Sequence, residues 1–273
     1  MRGSIQKLTL AGQEISLYLP PKALRNTPCR LLLAADGELL FEILTQLANT
    51  LEARMAEENR GLILVGLHSE NRDADYTPWP APGFDADYPD FPGKAGEYLQ
   101  WIDRELLPAL RAEWPISDQP GDVGILGFSL GGLLASYAPY VSPSFGYAMS
   151  LSGSNWYEGL IPFFREHDPL TDCRFFLSYG RAEGAGKFSM QKDAAECAEA
   201  AAAALRSRLG DDHVTVTSDS GRHTTKRVAR YTAALAWFQL YGKLRNSNLT
   251  CPGWDGTPKS AGTVSGPIHI QMG

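Results

Sequence analysis

Apolar runs recur along this chain, and each is followed by residues that repeat at helical spacing. The runs at 30–35 and 61–67 contain almost no polar residue, which is typical of strands buried on both faces of a parallel sheet. Between them, apolar residues over 39–57 fall on one face of a helix. Strands that alternate with helices in this way form right-handed crossovers. The sequence therefore predicts an α/β fold, with a mostly parallel central sheet and helices on both of its faces.

The N-terminal segment departs from this alternation. Residues 5–10 and 14–19 alternate apolar and polar side chains around Ala11-Gly12, which predicts an antiparallel hairpin at one edge of the sheet. The segment 68–94 is rich in Pro, Gly, Asp and aromatic residues. It is too long for a simple connection, so we expect it to be functional or well packed. The other apolar segments predict strands at 123–126, 145–151, 174–179 and 213–217, and helices at 95–114, 130–140, 158–166, 190–209 and 225–241.

Apolar segments follow one another without a polar linker, which indicates one domain over residues 5–242. The chain has 273 residues, 44% of them hydrophobic, and this is enough for one sizeable core. Residues 1–4 resemble the start of an expression tag. Residues 243–273 lose the apolar periodicity and fill with Asn, Ser, Thr, Gly and Pro. We interpret them as a flexible or foreign tail.

Charge and cysteine usage limit the partners and the compartment. The formal net charge of −6 argues against nucleic acid, which calls for a basic stripe. The sequence contains neither an apolar run long enough to span a bilayer nor an apolar signal segment. Four scattered cysteines lack metal-ligand spacing. We therefore expect a cytoplasmic monomer or homodimer with reduced thiols, with no metal or cofactor and no membrane or nucleic-acid partner.

The most specific motif is Gly-x-Ser-x-Gly at 127–131, between the predicted strand 123–126 and the predicted helix 130–140. A sharp turn here lifts the hydroxyl of Ser129 clear of the sheet, and the flanking glycines avoid a clash between backbones. The start of the helix adds a positive dipole end and a free N–H group. In this strand–turn–helix context the motif is a nucleophile elbow. It predicts an α/β-hydrolase fold with Ser129 as the nucleophile.

An α/β-hydrolase supplies its triad in the order serine, acid, histidine, with the histidine after the last strand. His223 lies between the predicted last strand and last helix, so we predict that it is the base. The other four histidines do not fit this order. His68 precedes the nucleophile, and His167 lies two elements too early. His213 begins the last strand, and His269 falls in the tail.

The acid should follow the penultimate strand, predicted at 174–179. Glu183 is the best candidate, because it comes four residues after that strand and can hold the tautomer of the imidazole. Asp193 is a rival inside a predicted helix. Three further rivals adjoin the wrong ends of the last strand: Asp211, Asp212 and Asp219.

Several motifs together resemble one esterase family. They are Asp36-Gly37 after the first buried strand, Gly-Phe-Ser-Leu-Gly-Gly at 127–132, Ser-Gly-Ser-Asn-Trp at 152–156, and Gly-x-x-Glu at 180–183. This combination is similar to the "Putative esterase" family, whose members include enterochelin (siderophore) esterases, feruloyl esterases, S-formylglutathione hydrolases and mycolyl transferases. The segment 71–79 resembles the siderophore-esterase branch most closely. The likeness covers roughly residues 5–242.

The resemblance implies an oxyanion hole made by the backbone N–H groups of Leu130 and Glu38. Both residues follow strand ends, where the active-site loops of open α/β sheets gather, and such a donor contributes roughly 3–4 kcal/mol to transition-state stabilisation. We expect four residues to bind substrate: Arg72, Tyr76, Trp79 and Trp156. For a bulky siderophore lactone, several basic residues should surround the site. Only Arg72, Arg181 and Arg222 are visible, against Glu38 and the acidic residues Asp85, Asp87 and Asp90.

These residues predict a serine carboxylic-ester hydrolase that forms an acyl-enzyme on Ser129. We expect small or aryl esters as substrates, with siderophore-type lactones as a further possibility. The open alternatives are acyl transfer to an alcohol on the same triad and a catalytically silent binding protein on this fold.

Overall fold

The central sheet has eight strands, six of which run parallel. A computed structural model of the chain describes the backbone of residues 1–247 and the side chains of residues 1–240. The strands are β1 (Ser4–Leu10), β2 (Gln13–Leu19), β3 (Arg30–Ala34), β4 (Leu62–Leu67), β5 (Val123–Phe128), β6 (Tyr147–Leu151), β7 (Arg174–Gly180) and β8 (Val214–Asp219). Their order in the sheet is β1-β2-β4-β3-β5-β6-β7-β8. β1 and β2 form the predicted hairpin, which joins the sheet antiparallel to β4.

Helices cover both faces of the sheet, as predicted. They are α1 (Gly37–Glu58), α2 (Arg72–Asp75), α3 (Ala95–Trp101), α4 (Leu107–Glu113), α5 (Leu130–Val141), α6 (Leu160–Glu166), α7 (Ala194–Leu209) and α8 (Arg227–Ser247). A π-helical segment, Ile102–Leu106, joins α3 to α4. α1 and α8 pack on one face of the sheet, while residues of α3 to α7 pack on the other. Along β3, Leu31 and Leu33 contact one layer and Leu32 contacts the opposite one. This explains the uninterrupted apolar run.

The strand order reverses between β3 and β5. From β3 the chain passes to β4 on one side, and later returns to place β5 on the other side of β3. A crevice forms at the carboxyl ends of the strands at such a switch point, and ligands bind there in open α/β sheets. The turn that follows β3 and the turn that follows β5 therefore face each other across this crevice.

The long segment 68–94 is packed against the body of the protein. It contains the short helix α2, and an isolated bridge between Ala81 and Phe91 ties it to itself. Tyr76 and Phe91 are buried in the main core. Of the two outcomes expected for this segment, the well-packed one is observed.

The two chain ends are more ordered than expected near the domain. The N–H groups of Arg2 and Gly3 donate to the buried carboxylate of Glu52, and α8 continues to Ser247, past the expected domain end at 242. Residues 248–273, with Cys251 and His269, lie outside the described residues. The origin of residues 1–4 and of the tail stays a prediction. Within residues 1–247, no helix is both long and apolar enough to cross a membrane.

Candidate active site

Ser129 lies on a strained turn between β5 and α5. Its φ of 59° and ψ of −121° place it in a region that L-residues rarely adopt. A side chain at position 127 would collide with the carbonyl oxygen of Gly131, so the turn can close only on glycine. The Ser129 N–H donates to the carbonyl of Leu151 on β6 at 3.0 Å, which fixes the turn over the crevice.

His223 lies beside this turn, on the loop that follows β8. Its ring contacts the ring of Phe128, the residue before the nucleophile, with 4.7 Å between centroids. Its Nδ1 lies 3.1 Å from Oε2 of Glu183. Since an ionised carboxylate can only accept, Nδ1 carries the proton and Nε2 is left as the basic atom. The hydrogen bonds of the described residues do not include one between Ser129 Oγ and the ring. Such catalytic bonds often tighten only when substrate binds.

Glu183 is 5% exposed and accepts hydrogen bonds on both carboxylate oxygens. Besides His223, the Gly180 N–H donates to it at 2.7 Å and the Ser152 hydroxyl at 2.8 Å. Burial alone would raise the pKa of Glu183, but the bonds from His223, Gly180 and Ser152 outweigh it and lower the pKa. The carboxylate therefore stays ionised next to the imidazole, as the acid of a triad must.

Arg230 also contacts this carboxylate, and the sequence reasoning missed it. Its Nη1 lies 2.8 Å from Oε1 of Glu183, and its side chain is 2% exposed. A signal was present, because Arg230, Ala234 and Phe238 repeat every four residues along the buried face of α8. A charged residue in such an apolar row indicates a buried polar partner.

The rival acids take other roles. Asp219 pairs with Arg230 at 2.9 Å. Asp211 is exposed and lies near Arg206, and Asp193 caps the start of α7. None of these three contacts His223 among the described hydrogen bonds.

The two predicted oxyanion donors lie at helix starts on opposite sides of the crevice. Leu130 is the first residue of α5 and Glu38 the second residue of α1. Among the hydrogen bonds of residues 1–247, neither N–H donates to a protein acceptor, as is usual in the first turn of a helix. Both groups are thus available to a developing negative charge.

The turn that carries Glu38 is held by two residues predicted to bind substrate. Arg72 donates two hydrogen bonds to Asp36, at 2.7 and 2.8 Å, and a third to the carbonyl of Phe128 at 3.3 Å. The Asp36 N–H donates to the hydroxyl of Tyr76 at 3.1 Å. Asp36 itself has a φ of 51°. Its pKa is raised by burial, although the Arg72 hydrogen bonds oppose this.

These contacts correct the expectation for Tyr76 and change the one for Arg72. Tyr76 is 0% exposed, so its side chain does not form part of a substrate-binding surface. The charge of Arg72 is paired with Asp36. Its hydrogen bond to the carbonyl of Phe128 links the turn that carries Glu38 to the elbow. Both roles depend on folding of the irregular segment 68–94, which no periodic pattern in the sequence describes.

The two tryptophans are half-buried in aromatic clusters. The indole N–H of Trp79 donates to the carbonyl of Glu158 at 2.9 Å, and its ring packs on Tyr137, Tyr157 and Phe163. Trp156 packs on Phe84 and Phe91. It follows Ser154, whose N–H donates to the carbonyl of Ser129 at 3.0 Å. Of the pair, Trp156 is therefore tied more directly to the nucleophile turn.

Comparisons with known proteins identify the family of this chain. Residues 12–246 match the model of the family described as "Putative esterase". The chain belongs to this esterase family. The uncharacterized protein YbbA of Bacillus subtilis (strain 168) is 31% identical over 258 residues, which cover 90% of this chain and 100% of that protein.

Solved structures of siderophore-processing and related enzymes share the fold. A siderophore hydrolase, EstA from Aspergillus nidulans, superposes with a TM-score of 0.66 and 18% identity, covering 88% of this chain and 95% of that chain. An IroE-like serine hydrolase from Shewanella oneidensis superposes with a TM-score of 0.67 and 19% identity, covering 85% and 79%. The predicted α/β-hydrolase fold is thereby confirmed.

As a member of this family, the protein is a serine carboxylic-ester hydrolase. The arrangement brings together the residues predicted as nucleophile, base and acid and the two N–H groups predicted as oxyanion donors, at the carboxyl ends of the strands. Among the described residues, no group of three or more His, Cys, Asp or Glu side chains is arranged to hold a metal ion.

Proposed function

We propose that the protein cleaves carboxylic esters through an acyl-enzyme on Ser129, with His223 as base and Glu183 as acid. One observation carries the proposal. The imidazole that lies against the elbow is hydrogen-bonded through Nδ1 to a buried, ionised carboxylate. In the neutral imidazole, that bond holds the proton on Nδ1 and presents the lone pair of Nε2, which is the tautomer a general base needs.

In the proposed reaction, His223 Nε2 takes the proton of Ser129 as Oγ attacks the ester carbonyl. The N–H groups of Leu130 and Glu38 hold the oxyanion, and His223 then protonates the leaving alcohol. Water, deprotonated by the same imidazole, attacks the acyl-enzyme and releases the carboxylic acid and Ser129.

Small or aryl esters suit a group of aromatic side chains linked to the elbow. Phe84 packs on both Tyr88 and Trp156, all three are partly exposed, and Trp156 lies two residues after Ser154, whose N–H donates to the carbonyl of Ser129. Such rings can stack on an aromatic group of the substrate. The structural likeness to siderophore hydrolases makes a siderophore-type lactone a further candidate, although the pairing of Arg72 with Asp36 removes one cation from its recognition.

The test is an activity panel on purified wild-type protein and on Ser129→Ala. The panel holds p-nitrophenyl esters of short, medium and long acyl chains, a feruloyl ester and a tris-catecholate lactone. We expect Ser129-dependent hydrolysis of the short-chain and aryl esters, with kcat/KM falling as the acyl chain lengthens. Hydrolysis that persists in Ser129→Ala would contradict the mechanism. A preference for long chains would contradict the substrate class, because it needs a deep apolar tunnel.

A further inference from the structure

Arg230 is a fully buried arginine, and one edge of its guanidinium contacts two members of the candidate triad. From α8, its Nη1 donates to Oε1 of Glu183 at 2.8 Å, to the carbonyl of His223 at 2.9 Å, and to the hydroxyl of Ser152. Burying a charge is costly unless it is paired and hydrogen-bonded. A guanidinium that only anchors a helix does not need to contact both the Glu183 carboxylate and the backbone of His223.

The opposite edge of the same guanidinium holds the loop that carries the histidine. Nε and Nη2 donate to the carboxylate of Asp219 at 2.9 and 3.1 Å, and Nη2 also donates to the carbonyl of Arg222 at 3.1 Å. A planar fork with donors in two directions can bridge both sets of partners, whereas the single ammonium of a lysine can serve only one of them.

The charges of this cluster are unbalanced until the imidazole is protonated. Glu183 is buried, and the hydrogen bond from His223 opposes the effect of burial, so that its pKa is lowered. Asp219 is half-buried, and the hydrogen bond from Arg230 opposes burial there, so that its pKa is lowered as well. Arg230 supplies one positive charge to these two negative charges. The imidazolium that forms during the reaction supplies the second, so its appearance neutralises the cluster.

The charged groups around His223 come from three segments. The segment after β7 contributes Glu183 and Arg181. The end of β8 contributes Asp219, and the loop after it contributes Arg222. α8 with its leading turn contributes Lys226 and Arg230. Arg181, Arg222 and Lys226 are exposed, so solvent screens them. The buried members Glu183 and Arg230, with half-buried Asp219, therefore dominate the field at the imidazole.

We propose that Arg230 is a positioning residue of the triad. It holds Glu183 and the His223 loop in register, and it moderates the negative field that these carboxylates exert on the imidazole. This role deepens the proposed ester hydrolysis and rests on it.

The chain contains a matched control. Arg30 is 3% exposed, and its Nη1 donates to the carbonyl of Phe238 on the same helix, at 2.5 Å. It lies at the start of β3, at the opposite end of the sheet from the elbow. Substituting Arg30 therefore disturbs a buried arginine held by α8 without touching the triad.

The experiment compares Arg230→Lys and Arg230→Gln with Arg30→Lys and Arg30→Gln on a Ser129-dependent ester. Because the displaced groups act on the transition state, we expect the Arg230 variants to lose roughly 10²-fold in kcat with KM nearly unchanged. The Arg30 variants should lose thermal stability but keep kcat per folded molecule. Equal losses of kcat in both pairs would overturn the proposal. The lysine variants serve where a glutamine variant does not fold.

The pH profile supplies a readout that a purely structural role would not move. Removing a positive charge near His223 favours the imidazolium, so the acidic limb of kcat/KM should shift to higher pH in Arg230→Gln. Asp219→Asn removes a negative charge and should shift it to lower pH. If the limb does not move in either variant, Arg230 is a structural anchor only.

Labelling of Ser129 by a fluorophosphonate separates the two levels of failure. If the wild type neither hydrolyses an ester nor labels at Ser129, the proposed function fails. If the wild type labels and Arg230→Gln labels at the same rate and with the same pH dependence, only the role of Arg230 is overturned.

Discussion

Among the described residues, two hydrogen-bonded groups combine histidine and glutamate with a nearby serine, and one of them lies at the elbow. The elbow group is Ser129, His223 and Glu183. The strand group is Ser16 on β2, His68 after β4, and Glu38 at the start of α1. In the strand group His68 Nε2 lies 2.9 Å from Ser16 Oγ, and Nδ1 lies 3.1 Å from Glu38 Oε2. By hydrogen bonding alone, the strand group is the more complete triad.

Accessibility reverses that ranking. Ser16 is 2% exposed in the sheet, whereas Ser129 is half-buried on a turn that faces the crevice. The acids differ in the opposite sense, since the Glu183 side chain is 3% exposed and that of Glu38 is 55% exposed. A nucleophile must reach its substrate, and the acid works best away from water, where its field on the imidazole is strong.

The comparison shows which features make such a group catalytic. A Ser–His–Glu chain of hydrogen bonds can form wherever three side chains meet. Catalysis also needs an exposed hydroxyl, a desolvated acid, and free N–H groups at the site of the oxyanion. The strand group holds the Glu38 side chain by its hydrogen bond with His68, and it is the Glu38 backbone that joins the proposed reaction.

The sharpest way to break the comparison is to remove each serine hydroxyl. Ser129→Ala should lower kcat by roughly 10⁴–10⁶-fold, because no other hydroxyl stands on the elbow, while Ser16→Ala should stay within a few-fold of wild type. Steady-state kinetics and intact-mass analysis after phosphonate treatment measure both effects. Phosphonate on Ser16, or retained activity in Ser129→Ala, would contradict the assignment of Ser129 as the nucleophile.

Removing each acid tests the importance of burial. Glu183→Gln should lower kcat by roughly 10²–10⁴-fold with little change in KM, because the carboxylate stabilises charge that forms only in the transition state. Glu38→Gln keeps its backbone N–H and should remain within a few-fold of wild type, because exposed side-chain contacts contribute little. A large loss of kcat in Glu38→Gln would mean that its side chain, through the bond with His68, positions the backbone N–H.

Arg72 tests how the two sides of the crevice are held together. Arg72→Leu frees Asp36 and breaks the link to Phe128, so the Glu38 N–H moves relative to the elbow. We expect a loss of about 10-fold in kcat, less than the 10²–10³-fold for removing an oxyanion donor outright. Kinetics on a neutral aryl ester check this. A rise in KM with kcat unchanged would instead support the substrate-binding role first expected for Arg72.

The sequence predicted those parts of the molecule that follow local patterns. The apolar runs and their spacing located β3, β4 and α1 closely, because burial on both faces of a parallel sheet demands them. The motif at 127–131 and the order of elements after it were enough to propose Ser129, His223 and Glu183. The contact between His223 and Glu183 joins the segments that follow β7 and β8, and these strands are neighbours in the sheet.

What the sequence did not predict depends on contacts between distant segments. The roles of Arg72 and Tyr76 follow from the packing of 68–94 against the turn at Asp36, and that segment has no periodicity. The strand group joins β2, β4 and α1 through a register that only the folded sheet defines. Arg230 did carry a local signal, since its helical row is otherwise apolar, but its partners lie 7, 11, 47 and 78 residues away.

The smallest expected difference between the two groups lies in acid stability. Hydrogen bonds outweigh burial at Glu183 and lower its pKa below the ordinary value of 4.5. A carboxyl group with a lowered folded-state pKa stabilises the native state above its unfolded-state pKa, and this contribution is lost as pH falls through the folded-state value.

Below about pH 4.5, the melting temperature of the wild type should therefore fall more steeply than that of Glu183→Gln, which has no carboxyl group to titrate. A distant carboxylate with a lowered pKa, such as Asp122, remains in both proteins and cancels in the difference. Glu38→Gln is the matched control, and its curve should run parallel to the wild type because exposed ion pairs contribute little to stability. Differential scanning fluorimetry from pH 7 to pH 3 measures all three proteins. Parallel curves for wild type and Glu183→Gln would mean that Glu183 is no better stabilised than a surface carboxylate, and the distinction drawn here between a buried and an exposed acid would fail.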